Sequence, residues 1–271
     1  MAARDPYYNE PQLSESHISE VGLLLPVLTA GPGSSSRRLE DHQLEHIEKS
    51  INHIIGLLGA VSDKIYESLI QSIRLVHLSI LNKQEDFGLA YLLIVSSIEA
   101  IAQLAIPRKK VSETHPKESE WKKKARTDPE WRELFIEYKN ARGNNGYLGK
   151  RYLRFIEQFC PLSLWESLVP PSDFDRSLPS IFYRYKVPSD LSPEMAKNLI
   201  NTSYKHRSSF VHVGAQPPHT EPIGYNRFFQ VVSEFADGNF TQQLLPNYEL
   251  MLGIARASIT AWAEQIASKR I

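Results

Sequence analysis

The sequence predicts an all-α fold, a helical bundle with an irregular N-terminal extension and loop insertions. Three observations carry this expectation. Apolar residues recur every three or four positions from Leu44 to Ile80 and again from Leu250 to Trp262, the spacing of one helix face. The stretch Phe87–Ile106 is apolar almost all round, as a helix at the centre of a soluble protein must be. Turn formers collect between such stretches, at Gly31-Pro32-Gly33-Ser34-Ser35-Ser36, Arg142-Gly143-Asn144-Asn145-Gly146, Pro161–Pro188 and Gln216-Pro217-Pro218, where they interrupt helices. No internal repeat is evident. The organisation expected is an extension or linker over 1–36 and a helical domain over 37–271.

In order, the first helix begins near Leu39 and carries Leu44, Ile47, Ile51, Ile54 and Leu58 opposite Glu45, Glu48, Lys49 and Asn52. The second, about Ser62 to Leu81, carries Ile65, Leu69, Ile73, Val76 and Ile80, with Ser62 a candidate N-cap. The two are expected to form an antiparallel hairpin whose stripes fill the core, the other reading being a dimerisation or partner surface. Phe87–Ile106 holds one acid, Glu99; if buried, its carboxylate needs a partner, for which Arg207 is the candidate, and the other reading is a half-exposed glutamate contacting solvent. Between Arg108 and Arg126 eight basic residues, among them Lys122, Lys123 and Lys124, face three acidic ones beside Trp121 and Trp131. That composition suits either an RNA-guiding patch or a solvated loop. Helices follow near Pro129–Ala141, capped by Asp128, and Tyr147–Phe159, where Lys150, Arg151 and Arg154 alternate with aromatics. Pro161–Pro188 reads as irregular. Ser192 caps a helix from Pro193, residues 225–236 are helical or extended, and a last helix over about Asn247–Lys269 closes the bundle.

Composition excludes several functions. With 271 residues, 42% hydrophobic and 23% charged, the chain suits one large domain or a domain plus an extension. Lysine plus arginine equals aspartate plus glutamate at 31 each, so nucleic acid must be drawn by local patches. The lone Cys160 excludes an intramolecular disulfide and a cysteine-rich zinc site, and reads as a buried thiol. His42 and His46 lack a third ligand, so neither metal nor cofactor is expected. Val21–Leu28 is too short to span a membrane and follows acidic residues, so no membrane segment or signal peptide is expected and the location expected is cytoplasmic.

The chemistry concentrates at Tyr204-Lys205-His206-Arg207-Ser208-Ser209-Phe210-Val211-His212-Val213-Gly214. Arginine can hold a phosphate through paired hydrogen bonds and stabilise a pentacovalent transition state; histidine can move a proton to or from an RNA hydroxyl. On a helix the two diverge by roughly 140° and about 7.5 Å, so they flank one group only if arginine reaches round or the helix loosens before Gly214, its candidate C-cap. By spacing alone, a surface arginine and a helix-end histidine remain the commoner reading.

The segment Tyr204-x-x-Arg207-Ser208-x-x-Val211-His212 resembles the R-x(4–6)-H signature of HEPN domains, in particular the Apea-like branch. The apolar helix bearing Glu99 and the long final helix fit that pattern over about Phe87 to Ser268. The resemblance implies an all-α bundle, usually a homodimer with two motif copies facing one cleft. It implies metal-independent RNA cleavage to 2′,3′-cyclic phosphate ends in defence or toxin–antitoxin systems, with an antitoxin or defence-system protein as partner. Other members are non-catalytic modules binding nucleotide, nucleic acid or protein. Carried over, Arg207 and His212 are catalytic, Ser208, Tyr204 and Glu99 orient the site, and Lys205, His206, Lys122, Lys123, Lys124, Lys150 and Arg151 are candidates for holding RNA.

Overall fold

The computed structural model describes residues 41–83, 85–112, 114–144, 147–170, 185–213, 226–236 and 239–269, apart from a few side chains within these ranges, including those of His212 and Val213. The extension 1–36 lies outside them. The described elements are α1 (Asp41–Ala60), α2 (Asp63–Asn82), α3 (Phe87–Ala105), α4 (Glu118–Thr127), α5 (Pro129–Asn144), α6 (Leu148–Phe159), α7 (Pro193–Val213), β1 (Phe229–Ala236), β2 (Asn239–Pro246) and α8 (Tyr248–Ser268), with short 3-10 turns at Arg108–Lys110, Leu162–Leu168 and Pro188–Asp190. The fold is mostly helical, and the sheet among the described residues is one two-stranded hairpin.

By internal contacts the chain divides at Ile55/Gly56, within α1. In the first unit the described part is helical, and its stripe does not fill a core: Leu44, Ile47, Ile51 and Ile54 are 41–51% exposed. This corrects the expectation for α1, where only Leu57 and Leu58, at the start of the second unit, pack on the core. Periodicity establishes that a stripe exists, and coverage requires a neighbour.

In the second unit α3 is the hub, with α2, α6, α7 and α8 packed around it. Alone, α3 is long and apolar enough to cross a bilayer; here Ile94, Ile98 and Ile101 are completely buried, each contributing on the order of 2–3 kcal/mol. Close approach of α2 depends on serines. Ser72 Oγ donates to Ser97 O at 3.1 Å and Ser79 Oγ to Ala90 O at 2.6 Å, so hydroxyls that carry no solvent contact are still satisfied. Consequently α2 turns Leu69, Ser72 and Ser79 inward and leaves Ile73, expected in the core, 43% exposed.

The caps follow the sequence in part. Asp128 Oδ1 accepts from Glu130 N–H at 2.9 Å, Ser192 Oγ from Met195 N–H at 3.1 Å and Asn247 Oδ1 from Leu250 N–H at 2.9 Å. Ser62 occupies the α2 cap position with no side-chain cap bond. The segment with two readings is extended: β1 pairs antiparallel with β2, Phe229 opposite Pro246 and Ala236 opposite Asn239. β2 packs on α7, and two buried asparagines anchor the hairpin, Asn226 Oδ1 accepting from Phe228 and Phe229 N–H at 2.8 Å and Asn247 Nδ2 donating to Asn226 O at 3.0 Å.

Candidate functional site

Ala196, Leu199, Ile200 and Ser203 form the buried inner row of α7, and Arg207, four residues beyond Ser203, continues it. Arginine therefore faces α3. Its Nη2 lies 2.7 Å from Glu99 Oε2, with Glu99 3% and Arg207 19% exposed at the side chain. Tyr204, one turn earlier, donates its hydroxyl to Glu99 Oε1 at 3.3 Å. Each carboxylate oxygen thus has a donor, the condition for holding charge out of water. Arg207 Nε is buried with no hydrogen-bond partner among the described residues.

Tyr204 is itself held. Its ring lies 5.3 Å from that of Tyr152, whose hydroxyl is 3.3 Å from Ser203 Oγ. Gly149 opens the space: a Cβ there would come within 3.1 Å of the Tyr204 ring. Burial first, then the Glu99 charge, pushes the Tyr204 phenol up to about 12, so at neutral pH it is a proton donor to the carboxylate. Burial likewise raises Tyr152.

The helix does not loosen. α7 continues to Val213, so the backbone of 207 and of 212 belongs to one regular helix and the divergence of roughly 140° stands. The His212 side chain and Gly214 lie outside the described residues. Ser208 and His206 are half-buried and Lys205 is exposed.

Against the outer flank of α7 runs a groove of about 850 Å³, lined from α6 by Gly149, Lys150, Leu153, Arg154 and Glu157, from α7 by Asn198, Asn201, Thr202, Tyr204 and Lys205, and from the connecting turn by Lys110, Val111 and Ser112. Three predicted residues, Lys150, Tyr204 and Lys205, meet here although Lys150 and Lys205 are 55 positions apart in sequence. Lys110 and Arg154, read in the sequence as members of basic stretches, line it too, whereas Asn198, Asn201 and Thr202 went unrecognised in the sequence. Their signal was the polar stripe Asn198, Asn201, Thr202, Lys205, at helical spacing on the face opposite the apolar one.

Other predicted residues are not brought to the groove. Arg151 donates from Nε to Ile106 O at 2.8 Å and from Nη2 to Gln103 O, serving the carbonyls that a helix end leaves unpaired, so it ties α6 to α3. Partial burial lowers its pKa, with Arg108 adding to the effect. Lys122, Lys123 and Lys124 lie on α4, which is a helix rather than a loop and packs chiefly on α5. Trp121 stacks on His115 at 4.3 Å and meets Tyr138 edge-on at 5.3 Å, while Lys124 sits 4.7 Å above Trp131. These half-exposed aromatics pack between α4 and α5.

No family model matches the chain, and neither a curated protein nor a solved structure matches it. Geometry alone defines the class: a mostly helical domain with a buried Glu–Arg–Tyr cluster beside a basic groove.

Proposed function

We propose that this chain is a metal-independent endoribonuclease of the HEPN type, acting in a defence or toxin–antitoxin setting. The observation that supports this reading best is the coupling of Glu99 to Arg207 at 2.7 Å with Tyr204 on the same carboxylate. The pairing joins the acidic residue of the core helix to the motif arginine, which supports a role for Glu99 in placing Arg207. Glu99 orients the guanidinium, Arg207 stabilises charge on the scissile phosphate, and His212 takes or returns the proton as the 2′-oxygen attacks phosphorus and the 5′-oxygen leaves. The products are a 2′,3′-cyclic phosphate and a 5′-hydroxyl. Since 207 and 212 diverge round one helix, a homodimer that brings two motif copies to one phosphate supplies the missing convergence.

A second reading is a non-catalytic nucleic-acid or protein-binding module, and one observation favours it: Arg207 is only 19% exposed and engaged with Glu99, as in a structural ion pair. Incubating the pure protein with varied single-stranded RNAs in EDTA separates the two. The enzyme reading expects cyclic-phosphate ends, lost in Arg207→Ala and in His212→Ala. Intact RNA, with growth unaffected by expression of the wild type, refutes it and leaves the binding module.

A further inference from the structure

We infer that the α6–α7 groove is a binding tract for the sugar–phosphate backbone of single-stranded nucleic acid, running along α7 toward position 212. The choice of strand chemistry rests on the RNA reading above; the tract itself stands on four observations.

The first is charge. Lys110, Lys150, Arg154 and Lys205 surround the groove against one acid, Glu157, and Glu157 is already met by Lys197 at 3.2 Å and Arg154 at 3.6 Å. A chain with zero formal net charge therefore concentrates positive potential in one concave place, where low-dielectric walls focus it. The second is the alternation of cations with neutral donors and acceptors. Asn198, Asn201 and Thr202 share the floor with the cations, and such groups satisfy phosphate oxygens, riboses and base edges together. The third is dimension. Gly149 to Glu157 on α6 spans about 12 Å, longer than one phosphate and enough for a short run of roughly two or three along a strand. The floor groups are reachable by bases only when these are unpaired, which favours a single strand over a duplex.

The fourth observation is register. At about 100° per residue, position 212 lies within roughly 40° of the directions of Asn198, Asn201 and Lys205, about 10 Å beyond Lys205 along the axis. A strand following the groove therefore runs toward the motif histidine position. Arg207 belongs to the other face, with Glu99.

Binding is measured by anisotropy of a labelled single-stranded RNA of about 12 nucleotides, with full-length His212→Ala protein so that turnover does not interfere. Lys150 and Lys205 are exposed, so the pair Lys150→Gln/Lys205→Gln is expected to keep the melting temperature. Each phosphate contact on a single strand contributes about 0.7 decade at 0.1 M salt. Losing two is expected to weaken binding about 25-fold and to flatten the log K against log salt slope by about 1.4. Lys122→Gln/Lys123→Gln, on α4, is expected to change neither. Unchanged affinity in the groove variant, equal loss in the α4 variant, polyglutamate competing as well as RNA, or no binding at all overturns the tract. Unchanged binding in the groove variant with RNA still cleaved by the wild type removes the tract and leaves the enzyme. Groove-dependent binding with no cleavage removes the enzyme and leaves the tract.

Discussion

Removing one partner of the Glu99–Arg207 pair strands the other in a place built for two. In Arg207→Met the carboxylate, 3% exposed, loses the guanidinium at 2.7 Å and keeps only the Tyr204 hydroxyl at 3.3 Å. Breaking a buried pair costs about 3–5 kcal/mol. The low end, about 3 kcal/mol, applies because Tyr204 still donates and the arginine was partly solvated. Glu99→Gln keeps the shape and leaves a cation that water reaches in part, so about 2 kcal/mol is expected. The double variant removes both charges and should cost about 3 rather than 5 kcal/mol, a coupling of about 2 kcal/mol. Urea unfolding followed by tryptophan fluorescence measures this, because Trp165 and Trp262 are 2% and 3% exposed and report loss of the core. In melting temperature the Arg207→Met loss corresponds to about 6–12 °C for a domain of this size. Single effects that add within about 0.5 kcal/mol would refute the coupling. The result also governs activity assays, since lost cleavage in an Arg207 variant counts as chemistry only where folded protein remains.

Four further outcomes are expected. Gly253→Ala places a Cβ 2.8 Å from Leu168 Cβ, and overpacking of about 1–3 kcal/mol exceeds the gain in helix propensity of about 1 kcal/mol; a raised melting temperature would contradict this. Asn247→Ala removes the α8 cap and the bond to Asn226 O, so a loss of about 2 kcal/mol is expected in urea titration. Cys160 is buried and burial pushes its thiol up to about 12; Ellman's reagent at pH 8 should react only at the rate of opening, and prompt native reaction would refute that burial. Finally, burial raises Cys160, Tyr204 and Tyr248, each to about 12. Below about pH 8 these groups are protonated in both states and their contribution is intact. Above it the unfolded thiol ionises first and the phenols follow from about pH 9, so stability should fall from about pH 8 to 12, read as a declining urea midpoint; a flat midpoint would count against it.

The Glu99–Arg207 pairing was legible because it follows from a shortage. A lone carboxylate in an apolar helix demands a cation, and the row Ala196, Ile200, Ser203, Arg207 steps by three or four toward the core. The hairpin left a signal too, Asp237-Gly238 between two stretches rich in β-branched, aromatic and aliphatic residues, a favoured pairing for a two-residue connection. Trp121 and Trp131 were ambiguous in the sequence, since an aromatic among lysines looks the same whether it stacks on a base or, as here, on His115 and beneath Lys124.

Local pattern was sufficient for the helical class, the central position of Phe87–Ala105, the caps at Asp128 and Ser192, and the need of a buried Glu99 for a partner. Each depends on residues within a turn or two, or on the cost of burying one charge. Tertiary contact decided the rest. Ser79 goes inward because Ala90 O and Tyr248, 169 positions away, are there to satisfy it, and Ile73 goes outward as a result. Lys150 and Lys205 share a groove because α6 and α7 pack side by side against α3. A helix repeats its faces every 3.6 residues whatever surrounds it, whereas which face loses water depends on distant chain that the repeat does not encode.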